Sequence, residues 1–203
     1  MVSEVEQQPI IISAEAEHLE EISTLAGDIW REYFPGMISS EQIECMLSQG
    51  YTLEVLSHEI LAQGISYDLM LLGSELIGFA SYGPTQASGE MKLHKLYIAP
   101  EFHGKGYGSK LLKHVESTVS KRGCKTLVLT VNKNNRRAID SYERNGFTVC
   151  DSVVVDIGSG FVMDDYVMAK NLDLAEACVC LRIGWIPCRL TTLEESDDRN
   201  CLT

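Results

Sequence analysis

Apolar and polar positions along this chain alternate between two periods, and the switches between them mark out the elements. A short apolar run at 10–13 reads as a strand. From 15 to about 34, Leu19, Ile22, Leu25, Ala26 and Ile29 return at helical spacing, and Pro35-Gly36 closes the segment. Ser39 or Ser40 can cap a second helix whose Ile43, Met46 and Leu47 share a face. Residues 52–63 read as a third, short helix. Strands are predicted at 65–72 and 76–82 around a Gly73-Ser74-Glu75 turn, then at 91–99, closed by Pro100. A helix over about 108–122 stops at Gly123. A β-rich strand at 126–131 precedes a helix at 135–145 that stops at Gly146, and 147–156 with 161–170 form a final hairpin about a Gly-Ser-Gly turn. The order β-α-α-α-β-β-β-α-β-α-β-β is that of a mixed α/β layer domain ending near Leu172.

The chain's 203 residues suit one domain of 1–172 with an extension of 173–203. Four of the seven cysteines, Cys178, Cys180, Cys188 and Cys201, fall in that extension. Their spacing lacks the paired knuckles of a zinc site, so no metal is assigned. The N-terminal MVSEVEQQPIII carries Glu4 and Glu6 and no Lys or Arg, unlike a secretory signal. Reduced thiols in a cytoplasmic protein are therefore expected. No apolar run approaches a membrane span.

Charge adds a division that the periodicity does not show. The net charge is −12, which argues against nucleic-acid and anionic-membrane partners. Residues 1–90 hold fifteen acids and one base, Arg31, for a balance of −14, whereas 91–170 hold thirteen bases and eight acids, for +5. The middle segment suits a polyanion and the first half a cation; a solvated acidic surface is the alternative.

The middle segment carries the chemistry. In LYIAPEFHGKGYGSKLL, Gly104, Gly106 and Gly108 lie between a strand and a helix. Glycines there let the backbone approach a ligand, and the free amides of a helix start favour an anion such as pyrophosphate. The Rossmann fingerprint fails, because Ser109 stands where its third glycine belongs. The P-loop fails because Gly108 is followed by Ser109 rather than Lys. Downstream, in NRRAIDSYERNGF, Asn135, Ala138, Ile139 and Tyr142 share one helical face, with small Ala138 leaving room alongside.

Together these segments resemble the GNAT acetyltransferase superfamily. HGKGYG is similar to its pyrophosphate loop, [QR]-x-x-G-x-[GA], with His103 in place of Gln or Arg. NRRAIDSYERNGF is similar to its second signature, N-x-x-A-x-x-x-Y-x-x-x-G-F. The hairpin GFVMDDYVMAK and the body look like the bacterial PaiA-like spermidine/spermine N-acetyltransferase branch. The resemblance implies a GNAT-like mixed, mostly antiparallel central sheet flanked by helices. It implies an enzyme that uses acetyl-CoA as co-substrate to acetylate a small-molecule primary amine, and a possible homodimer. A peptide or protein N-acetyltransferase and a non-catalytic acyl-CoA-binding module are the alternatives.

Carried over by the same resemblance, His103, Gly104, Lys105, Gly106, Tyr107, Gly108 and Ser109 hold the pyrophosphate. Leu96, Tyr97 and Ile98 run beside the pantetheine arm, the Leu96 amide polarises the thioester carbonyl, and Asn135 contacts the cofactor. Tyr142 protonates the departing thiolate. Many relatives place a Glu base at the position of Lys92. Strand alternation puts Glu90, Lys92, His94, Leu96 and Ile98 on one face, so His94 is the first candidate for the base and Glu90 the second. Glu32, Glu41 and Glu44 are expected to flank the acceptor's way in, and Trp30, Tyr33 and Phe34 to line it or to be core.

Overall fold

The structure is a computed structural model and describes residues 7–173. Strand β1 (Ile10–Ser13) and a 3-10 turn (Ala16–His18) lead into α1 (Leu19–Tyr33), α2 (Ser40–Gly50) and α3 (Leu53–Leu61). Next come β2 (Ser66–Leu72), β3 (Glu75–Pro84) and β4 (Glu90–Ile98). Helix α4 (Tyr107–Lys121), β5 (Thr126–Asn132), α5 (Arg136–Arg144), β6 (Thr148–Gly158) and β7 (Phe161–Asn171) complete the order expected from the sequence. The cysteines of the extension lie outside the described residues. None of the described helices is long and apolar enough to cross a membrane.

Local chemistry sets the helix starts. Ser39, not Ser40, caps α2 by accepting the Gln42 N–H at 3.2 Å, and Thr52 caps α3 through the Val55 N–H at 3.3 Å. The first helix begins later than its apolar spacing suggests. The Glu15 N–H donates to His18 Nδ1 at 3.0 Å, which tightens 16–18 into a 3-10 turn before α1.

Seven strands form one sheet in the order β1-β2-β3-β4-β5-β7-β6. Only β4 and β5 run parallel; every other pairing is antiparallel. Both faces are covered. Leu111, Leu112, Val115 and Val119 of α4 and Ile139 of α5 pack with Met70, Ile77, Ala80, Leu93, Leu127 and Met168 on one side. Ile22, Ala26 and Trp30 of α1, Ile43 and Leu47 of α2 and Leu56 of α3 pack with Leu69 and Phe79 on the other. Each such side chain contributes about 2 kcal/mol by leaving water. The parallel pair sits at the centre, where the covering helices meet it on both sides.

Candidate active site

Strands β4 and β5 pair from Glu90↔Thr126 to Leu93↔Leu129 and then part. The cause is visible on the other edge of β4. Ser81 pairs with Lys95 but Tyr82 pairs with Leu93, so His94 is an extra residue, and a bulge bends the strand there. The bulge also corrects the expected alternation. Met91 and Leu93 share their face with Leu96 and Ile98, not with His94. Glu90 and Lys92 are thereby separated from Leu96 and Ile98.

Beyond the bulge, the Ala99 N–H donates to the Ile77 carbonyl on β3 at 2.9 Å. Alternation then turns the main-chain groups of Lys95 and Tyr97 toward β3 and those of Leu96 and Ile98 toward the opening. The Ile98 carbonyl is met there by His103 Nε2–H at 2.7 Å. The opening is a groove of about 760 Å³ that runs from α4 and α5 to the ends of α1 and α2.

The glycine loop closes one end of the groove. Gly104 (φ 78°) and Gly106 (φ 81°) are left-handed, and a Cβ at either would meet nothing within 4 Å. Glycine is required there by backbone conformation and leaves open space above the loop. Gly106 is the N-cap of α4, so the first-turn amides, which lack intrahelical acceptors, start at the groove wall. Gly104, Gly106, Tyr107, Gly108 and Ser109 line it together with His103, whose ring packs edge-on against Tyr33. Lys105 does not line it directly; its ammonium lies 4.9 Å from the ring centroid of Phe102, which does. This set fits an extended diphosphate ester, with amides for the anion and an unpaired strand edge beside it.

Helix α5 forms the facing wall. Asn135 is its N-cap, accepting the Ala138 N–H at 3.1 Å and the Tyr33 hydroxyl at 3.2 Å with the same Oδ1. It therefore ties α1 to α5 with its oxygen already used. Ala138, Ser141, Tyr142 and Arg144 line the groove. Burial pushes the Tyr142 phenol well above its ordinary pKa, with smaller contributions from Tyr97 and Tyr33. Its proton stays in place across the neutral range.

The far end is aromatic. Trp30, Tyr33, Phe34, Tyr51 and Tyr97 border it, and Trp30 and Phe34 also belong to the core. Lys95 is buried there. Its ammonium donates to both Glu59 oxygens (2.7 and 2.6 Å) and to the Tyr67 hydroxyl (2.7 Å), and Tyr67 in turn donates to Glu59. Burial lowers the Lys95 pKa, with Glu59 opposing it. His94 borders the groove, still reached by solvent. Desolvation first, then the Lys92 and Lys95 charges, push its pKa down to about 4.

The remaining acidic expectations are not met. Glu90 accepts from the Thr85 hydroxyl at 2.8 Å on the paired stretch of β4 and does not border the groove. Glu44 is held by Arg31 at 2.8 Å on the surface; Glu32 lines a separate shallow depression, and Glu41 is exposed. The groove's acidic side chains are instead Glu59 and Asp165, the latter on β7. Arg137 and Arg144 also border it and were missed in the sequence, although their spacing of seven places them on one helical face.

Residues 27–147 match the Acetyltransferase (GNAT) family. The spermidine N(1)-acetyltransferase of Thermoplasma acidophilum is 32% identical over 152 residues, covering 73% of this chain and 91% of that protein. The thialysine N-epsilon-acetyltransferase of Bos taurus is 29% identical over 106 residues, covering 51% of this chain and 62% of that protein. The crystal structure of the PaiA N-acetyltransferase of Thermoplasma acidophilum in complex with coenzyme A has a TM-score of 0.70 at 28% identity, covering 81% of this chain and 99% of that one.

Proposed function

This chain belongs to the GNAT acetyltransferase family, and from that premise we propose that it acetylates a primary amine of the small cationic or polyamine class. It is an N-acetyltransferase with acetyl-CoA as co-substrate. The parting of β4 and β5 at His94 carries the reading, because it sets an unpaired strand edge, a helix start and a phenol around one groove.

Acetyl-CoA supplies a thioester whose carbonyl carbon is open to attack by an amine. The amides at the start of α4 bind its diphosphate, and the free edge of Leu96 to Ile98 aligns its amide-bearing arm as an added strand would. The Leu96 N–H, turned into the opening, stabilises negative charge on the carbonyl oxygen. Tyr142 keeps its proton and donates a hydrogen bond to the departing sulfur; a thiol's pKa of about 8.5 lies below a phenol's ordinary value of about 10, so any proton it gives the thiolate is replaced by one from the acetylated nitrogen or solvent.

An alkylammonium of pKa about 10.4 costs roughly 4–5 kcal/mol to deprotonate at pH 7. His94 is neutral there and solvent-accessible. It accepts a hydrogen bond from the free amine, while the ammonium's proton leaves to solvent, because an imidazole of pKa about 4 does not take it. The name of the Thermoplasma relative supports a polyamine acceptor, as does the aromatic end of the groove, since ring faces attract alkylammonium groups. An amine panel with acetyl-CoA, read as free thiol, tests the proposal: spermidine and spermine should lead the panel, and thiol release with no amine in it would overturn the reading.

A further inference from the structure

One carboxylate on the groove wall has an oxygen that the chain leaves without a donor. Two acidic side chains border it among the described residues, Glu59 and Asp165. Glu59 is satisfied by Lys95 and Tyr67. Asp165 is satisfied only in part: Asn132 hydrogen-bonds its carboxylate, while Oδ1 is closed off from water and has no hydrogen-bond partner. The residue stands on β7 opposite Asn132 of β5, and both line the groove.

A buried carboxylate oxygen without a donor is unfavourable unless a ligand supplies one. The terminal torsion of an aspartate is soft and two-fold, so rotation presents either oxygen to the groove. The groups around it are Asp164, Lys92, Lys133, Asn132 and Tyr97. Of these, Lys133 is engaged by Asp164.

Resting on the amine-acceptor reading, we propose that Asp165 anchors the acceptor by pairing with an aliphatic ammonium group at the aromatic end of the groove. Lys95 already fills the Glu59 site, so a second cation has no place there. Acceptor recognition then turns on one carboxylate from the hairpin rather than on the acidic helices of the first half.

The test titrates spermidine calorimetrically into the full chain saturated with CoA, for the natural protein, Asp165→Asn and Asp165→Glu. The natural protein should bind, Asp165→Asn should bind at least about tenfold more weakly, and Asp165→Glu should recover most of the loss. Thermal melting and CoA affinity should be nearly unchanged in Asp165→Asn, since the amide oxygen can still accept the Asn132 hydrogen bond. Equal spermidine affinity in Asp165→Asn would overturn the proposal, and so would absence of binding to the natural protein. A collapse of melting temperature with loss of CoA affinity would assign Asp165 a structural role instead. A natural protein that binds spermidine through Asp165 but releases no thiol would uphold the anchor and refute the transfer reading alone.

Discussion

Adding one methyl group at Gly106 should separate the ligand-binding role of the glycine loop from its role in folding. Gly106 sits at φ 81° and ψ 1°, and its added Cβ meets no atom of the chain within 4 Å. The cost of Gly106→Ala to folding is therefore the left-handed backbone alone, about 1 kcal/mol, equivalent to roughly 2–4 °C in Tm for a chain of this size. Gly123 provides the matched control. It has φ 82°, equally open space, and lies just past the other end of α4, about 25 Å away by helix rise. Gly123→Ala should show the same Tm loss with CoA affinity intact. Gly106→Ala places its methyl where the diphosphate approaches, and one lost charge-assisted hydrogen bond is worth about 1.5–3 kcal/mol. Its Kd for CoA should rise at least about tenfold. Calorimetry on both variants, with melting curves, decides it. Equal CoA affinity in a folded Gly106→Ala protein would refute the assignment of this loop.

Tyr142→Phe should lower kcat about 100-fold with CoA affinity kept, measured by thiol release and calorimetry; a full-rate variant removes the phenol from the reaction. Lys95→Met should cost about 3 kcal/mol in urea unfolding, because the largely buried Glu59 loses its cation and keeps only the Tyr67 hydroxyl, and adding Glu59→Gln should recover much of it. His94 has its folded pKa lowered to about 4 from an ordinary 6.5. Between these values the unfolded chain binds more protons, so this group makes stability rise with pH from about 4 to 6.5. His94→Gln should flatten that part of the stability profile, and an unchanged slope would contradict the shift.

Most of the fold was legible because its elements follow the two periods closely. Ile10–Ser13 was legible as a strand, and α5 was bounded by Asn135 and Gly146. The glycine loop was legible because its residue types and spacing point to an anion, whereas the role expected of Tyr142 came only from the resemblance of NRRAIDSYERNGF to the family's second signature. The bend in β4 was not read, although it leaves a trace: apolar positions 91, 93, 96 and 98 are spaced by two, three and two. That step of three is the bulge at His94, and overlooking it put Glu90 on the wrong side of the strand. Asp165 was out of reach for a different reason. It stands in a hairpin far along the chain from α1 and α2, and only the β5–β7 pairing brings it to the groove. The acidic first half pointed to Glu32, Glu41 and Glu44, but charge counted along a chain does not say which side of a helix it occupies.

The most direct test of the central claim is transfer itself. Purified protein is mixed with acetyl-CoA and spermidine, free thiol is followed over time, and the amine product is weighed by mass spectrometry. Thiol release should match acetylated spermidine one to one and disappear when the amine is left out. Thiol release without an acetylated amine, or no thiol release with any amine of the panel, would contradict the account.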